Sequence, residues 1–221
     1  YRTGPRHWSD QRPENVSVSG GLLRIALRRE KSGGVDYTAG GTISKAAFRY
    51  GYYEARVKMP RGRGWHTSFW MMQNGPKSGI EDRFQEIDVC EQDSVDHGSY
   101  SVNWHSYPPH VSFGHKRVNG PDLSADFHVY AADFTPREVR FYFDGKLVQT
   151  VDIAAVPHND QHIWLTSIAS FLQKTGSVED AALPEVALFD WVRYYQPAGD
   201  AGVTITELDL AFSATDRLER R

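Results

Sequence analysis

The chain has 221 residues, a formal charge of −3, 40% hydrophobic and 24% charged residues, a globular composition long enough to bury a substantial core without metal or disulfide support. Its 25 Lys and Arg nearly balance 28 Asp and Glu, which argues against recruiting nucleic acid or a membrane surface through net charge. Cys90 is the single cysteine, so no disulfide forms within the chain, and no run of about 18 apolar residues is present to span a bilayer.

The opening stretch YRTGPRHWSD is polar and aromatic and has no signal-peptide character, as expected of a processed chain. NVSVSGGLLRIALRRE then predicts two alternating runs around a Ser-Gly-Gly turn. In RYGYYEARVKM, Tyr50, Tyr52, Glu54, Arg56 and Lys58 alternate with Tyr53, Ala55, Val57 and Met59, the period of a half-buried strand. TSFWMMQ, FQEIDVCE, YSVNWHS and FHVYAADF follow as short strands. VRFYFDGKLVQTV reads as a hairpin whose Asp144-Gly145 supplies the positive φ angles of a type I′ turn. HIWLTSIAS and VALFDWVRYYQ complete the series, with Trp164 and Trp191 expected in the core.

About a dozen strands and no helix before residue 200 predict an all-β fold, an antiparallel β-sandwich or jelly roll. NGPKSGIED (74–82) and SYPPHVSFGHKRVNGPD (106–122) are expected as loops at a cleft rim. One domain is expected over 1–197, followed by an appendage at 198–221. In that appendage GVTITELDLAF suits an edge strand, while Ile205, Leu208, Phe212 and Leu218 suit a short helix.

The stretch RFQEIDVCEQDSVDHG gathers Glu86, Asp88 and Glu91, with Asp93, Asp96 and His97 directly behind. In a strand, Glu86 and Asp88 share one face while Ile87 and Val89 turn to the core. Strict alternation would bury Glu91, which is costly for an ionised carboxylate. A β-bulge at Val89-Cys90 returns Glu91 to the face of the other two. Such a row suits cleavage of a glycosidic bond with retention, which needs an ionised nucleophile and a protonated acid about 5–5.5 Å apart. Crowding helps to keep a proton on one member. Clustered acids are also commonly just solvated. A Ca²⁺ site would use similar oxygens, but EIDVCE lacks the spacing and glycine of an EF-hand loop.

With its Glu-x-Asp-x-x-Glu pattern in EIDVCE, the chain resembles glycoside hydrolase family 16, the curved, concanavalin-like jelly rolls that include laminarinases, lichenases, agarases and carrageenases. RPENVSVSGGLLRIAL, FRYGYYEARVKMP, GWHTSFWMM, FHVYAADFTPREVRFYFDGKLV and LFDWVRYYQ extend the resemblance in order over about residues 11–196. It implies an open concave cleft, with Glu86 as nucleophile, Asp88 as assisting acid and Glu91 as acid/base. It further implies no cofactor for the chemistry and no catalytic metal. A structural Ca²⁺ near Asp190 is known in some relatives. Secretion, or a periplasmic or cell-surface location, follows from the same resemblance. Two departures bear on the substrate. Trp65-His66-Thr67-Ser68 stands where laminarinases carry Trp-Pro-Ala, and AGGTISK has Thr42 where they tend to have Arg. Both lean towards galactan-cleaving relatives.

Trp65, Trp70 and Trp104 flank the acids and are candidate stacking platforms for sugar rings, with core packing as the alternative. His66, and His105 in NWHSY, are candidate substrate contacts, and the resemblance puts His105 near the acid/base. Arg49, Arg61, Arg63 and Arg83 could pair with charged substituents, although solvated rim charges are commoner. The expected activity is endo-hydrolysis, with retention, of β-1,3 or β-1,4 bonds in a β-galactan of agar, porphyran or carrageenan type or a laminarin-type β-glucan. A carbohydrate-binding module without activity and a transglycosylase on the same fold are the alternatives. The expected partner is the polysaccharide alone, bound by a monomer.

Overall fold

The computed structural model describes residues 3–73, 84–170 and 177–196, with the backbone of Thr206–Asp209. Strands β1 (Gly4–Arg6), β2 (Ser9–Gln11), β3 (Val16–Ser19), β4 (Leu22–Ser32), β5 (Val35–Ile43), β6 (Gly51–Lys58) and β7 (Trp65–Met72) lead to β8 (Phe84–Asp93), which carries the carboxylates. Then come β9 (Ser99–Tyr107), β10 (Val111–Asn119), β11 (His128–Phe134), β12 (Glu138–Phe143) and β13 (Lys146–Asp152). The series closes with β14 (His162–Ala169), β15 (Glu185–Gln196) and β16 (Thr206–Asp209).

The strand order is β10-β9-β8-β7-β14-β5-β4-β15-β6-β11-β12-β13, with every named pair antiparallel except β2 with β5. The path folds over at the β4–β5 hairpin into two layers, the expected β-sandwich. Tyr100 of β9 meets Tyr130 of β11 at 5.0 Å between ring centroids, and Trp104 meets Phe134 at 5.8 Å. Phe69, Met71, Ile87 and Val102 pack from one layer against Ala55, Val57, Phe141 and Phe189 from the other. Burial of these side chains is the main favourable term in folding.

Local chemistry follows the sequence closely. In β6 burial alternates residue by residue, with Tyr53, Ala55 and Val57 inside and Tyr52, Glu54 and Arg56 outside. The β12–β13 hairpin turns on Asp144 (φ 45°) and Gly145 (φ 76°), as its Asp-Gly pair predicts. Thr206–Asp209 adds to the edge of β15 as a strand. No helix among the described residues is long and apolar enough to cross a membrane.

Two expectations fail. The stretch 106–122 is largely strand, because Val111–Asn119 zips onto β9 and only the Pro-Pro segment is left to turn. Trp191 is half-buried on the outer face, with the Arg193 guanidinium 4.2 Å above its ring, so cation–π contact rather than core packing holds it. The expected loop at 74–82 lies outside the described residues.

The start of β7 depends on a glycine. Gly64 has φ +99°, and a Cβ there would lie 2.5 Å from Cα of Val178. Gly64→Ala is therefore expected to cost about 2 kcal/mol or more, from the left-handed backbone together with the clash. Chemical denaturation checks this, and an unchanged midpoint would refute it.

Candidate active site

β8 lies between β7 and β9, and its register breaks where the sequence requires it. On the β7 side Cys90 pairs with Phe69 and Asp88 with Trp70, which leaves Val89 as the extra residue. On the β9 side the pairing jumps from Asp88–Asn103 to Glu91–Ser101. Val89 and Cys90 both turn into the core, at 1% and 0% exposure. Glu86, Asp88 and Glu91 therefore stand on one face, the bulge expected at Val89-Cys90. Glu86 and Glu91 lie opposite His105 and Ser101, four residues apart on β9. At about 3.3 Å per residue this sets their backbones roughly 13 Å apart, a gap that two long side chains leaning inward over Asp88 can narrow.

The three carboxyls occupy unequal environments. Asp88 is 1% exposed, and burial, with the charges of Glu91 and Glu86, pushes it far above the usual carboxylate range. It therefore keeps its proton and donates it to Glu86. Burial and the charge of Glu91 raise Glu86 to about 7, while hydrogen bonds from Asp88 and the Tyr107 hydroxyl act in the opposite direction. One oxygen or nitrogen each of Glu86, Asp88 and His105 lies within 4.8 Å of the others. The shared proton accounts for the closeness of the two carboxyls without a cation.

Glu91 differs because of His66. The imidazole Nε2 lies 3.2 Å from Glu91 Oε1, and Nδ1 lies 2.9 Å from Asp93 Oδ1. Burial alone would raise Glu91, but the hydrogen bond and charge of His66, with smaller effects of His105 and His115, bring it below its ordinary value. Burial alone would lower His66, yet its two carboxyl partners raise it to about 10. Glu91 keeps 24% of its side chain exposed, against 5% for His66 and 6% for Asp93. A small pocket beside Glu91 is lined by Asp96, Ser99, Ser101 and Arg117.

The other candidates separate. Trp65 and Trp104 are wholly buried members of the inter-layer core, so they are not stacking platforms. Their positions alternate out of phase with the carboxylates, and the register assigns them to the opposite face of the sheet. Trp70 does share the face of Asp88. It is stacked on Trp164 at 4.6 Å and donates Nε1–H to Thr166 Oγ1 at 3.1 Å. Trp164, expected in the core, is buried on this same face. His66 has both ring nitrogens engaged by carboxyls and is 4% exposed, so it backs Glu91 instead of contacting substrate.

His105 lies 3.0 Å from Asp88 Oδ2 without hydrogen-bond alignment, while its Nδ1 meets His110 Nε2 at 2.9 Å. Its nearest carboxyl is thus Asp88, with Glu91 also within electrostatic reach. Burial lowers its pKa and favours the neutral ring. Arg49 forms an exposed ion pair with Asp160 at 2.7 Å and is tied to none of the carboxylates. Arg61 and Arg63 pair with Asp122 and Glu179 at the surface, and Arg83 lies outside the described residues. Asp190 gives Oδ2 to the Arg56 guanidinium at 2.5 Å.

Asp93 and Tyr107 were missed as site residues. Asp93 stood in the acidic stretch, and the Asn103-His105-Tyr107 alternation would have put Tyr107 on the face of Glu86. The prolines that follow it suggested a loop instead.

Comparison with known proteins yields a consistent set. The family model described as Glycosyl hydrolases family 16 matches residues 6–167. A beta-glucanase of Rhodothermus marinus is 31% identical over 163 residues, covering 66% of this chain and 57% of the relative. A beta-glucanase of Acetivibrio thermocellus is 32% identical over 189 residues, covering 83% and 54%. The chain thus spans a little over half the length of these curated relatives. The solved beta-glucanase of Bacillus licheniformis superposes with a TM-score of 0.74 at 28% identity, over 88% of each chain.

Proposed function

Because the chain belongs to glycosyl hydrolase family 16, we propose that it is an endo-acting hydrolase of β-linked glucan that works with retention. The observation that carries the proposal is the Val89-Cys90 bulge, which gathers Glu86, Asp88 and Glu91 on one face. Glu86 attacks the anomeric carbon and forms a glycosyl-enzyme, while Glu91 protonates the departing oxygen. Asp88, protonated and donating to Glu86, holds the nucleophile's orientation and takes up charge as it changes. Glu91, then a base, activates the water that releases the sugar.

The relatives named above are beta-glucanases, so β-glucans are the substrates favoured. The lean towards a galactan, drawn from Thr42 and His66, finds no support in them. His66 also has a local role beside Glu91 that needs no particular sugar. A polysaccharide substrate would be met outside the cell.

The test is reducing-end release on laminarin, mixed-linkage glucan, agarose, porphyran and carrageenan, with NMR of the anomer formed first. Release of oligosaccharides from a glucan, β-anomer first, is the expected result. An α-anomer formed first would refute retention, and monosaccharide as the sole product would refute endo-action. No release from any of the five would favour a binding module, and products longer than the input would identify a transglycosylase.

A further inference from the structure

We propose that His66 is the proton reservoir of the acid/base, a positioning residue that exchanges one proton with Glu91 while Asp93 holds the far side of its ring. The proposal rests on the assignment of Glu91 as the acid/base and goes beyond it. Three observations carry it. His66 Nε2 lies 3.2 Å from Glu91 Oε1, Nδ1 lies 2.9 Å from Asp93 Oδ1, and the chain of groups runs from buried Asp93 and His66 to part-exposed Glu91.

Acid catalysis needs a proton on Glu91, yet a carboxyl facing an imidazolium readily gives its proton up. The proton is then stored one atom away. In the resting state Nε2–H donates to the Glu91 carboxylate. For the first step the N–H bond breaks and an O–H bond forms on Glu91, leaving neutral His66 with Nδ1–H still on Asp93. Glu91 then gives that proton to the departing glycosidic oxygen as its bond to the anomeric carbon breaks. In the second step Glu91 takes a proton from the attacking water and returns it to His66 Nε2, so the cycle closes with no net change. His66 touches no reacting atom and acts through Glu91.

Other groups facing this chain are Glu86 and Asp88 on β8, His105 and Tyr107 on β9, His115 and Arg117 on β10, and Arg6 and His7 ahead of β2. Ile168, opposite His66 on β14, does not titrate. His66 bridges two carboxyls, those of Glu91 and Asp93. Activity should therefore rise as Glu86 ionises near pH 7 and persist until His66 loses its proton near pH 10.

The test pairs two measurements on the full chain. Nitrogen NMR of histidine-labelled protein, with His66 assigned by its absence in His66→Gln, should show hydrogen on both ring nitrogens at about pH 8. In kinetics on laminarin or mixed-linkage glucan, whichever is cleaved, His66→Gln should lose activity about tenfold or more at alkaline pH. The loss should be smaller on a 2,4-dinitrophenyl glycoside, whose leaving group needs no proton. A neutral His66 at pH 8, or a pH profile that overlays the parent's, overturns the relay. Glu91→Ala separates the two levels. If it cleaves polymer like the parent, the acid/base assignment itself fails. If it loses polymer cleavage while His66→Gln changes nothing, only the relay fails.

Discussion

Glu86→Gln is expected to lower polysaccharide hydrolysis by at least ~10³-fold while leaving the chain folded. The amide keeps the size of the carboxyl and can still accept from Asp88 and Tyr107, which both bond Glu86 in the parent. It cannot attack an anomeric carbon. In the parent, Glu86 is raised to about 7 by burial and by the charge of Glu91, so activity should fall as pH drops through 7 and the nucleophile gains its proton. Steady-state kinetics over a pH series checks both statements. A variant with parental rates would remove Glu86 from the chemistry.

The same substitution makes a prediction about stability. A carboxyl that binds its proton more tightly in the folded chain than in the unfolded one loses stability as pH rises, here between about 4.5 and 7. Above pH 7 the folded parent carries the full cost of the buried charge, on the order of 3 kcal/mol. Glu86→Gln lacks that cost. It should melt above the parent at pH 8, with the difference shrinking as pH falls towards 4.5. A constant difference across the series would mean that charge is not its source.

Trp104→Ala is expected to destabilise the fold by about 3–5 kcal/mol, which for a chain of this length lowers the melting temperature by roughly 6–20 °C. Trp104 is wholly buried between the layers, with the rings of Phe134 and His158 at 5.8 and 5.9 Å. Its indole N–H has no hydrogen-bond partner, so the side chain contributes through packing alone. Removing it leaves a cavity that strands paired on both sides are poorly placed to fill. Thermal melting checks the effect. A near-parental melting temperature with weakened glucan binding would return Trp104 to the cleft as a stacking platform.

Much of this molecule is legible locally, because a strand's pattern repeats every two residues. The outward row of β6, the Asp144-Gly145 turn and the acidic face of β8 each depend on neighbours a few positions away. The bulge was legible for a similar reason, since without it Glu91 would be charged inside the core. Register between strands is a different matter. Trp65 and Trp104 lie on the two strands that flank the acids, yet they project from the other face of those strands. The segment after Tyr107 became a strand because β9 offered it an edge to pair with.

The amino-acid order by itself determined the two-layer β fold and the shared face of Glu86, Asp88 and Glu91, since side-chain alternation and the cost of a buried charge act within one short segment. Only the tertiary structure decided which carboxyl keeps its proton. Asp88 is neutral because it is buried between two charges, and Glu91 is ionised because β7 delivers His66 to it across 25 positions of sequence. Electrostatic fields depend on distances through space and on the loss of solvent, and strand pairing sets both.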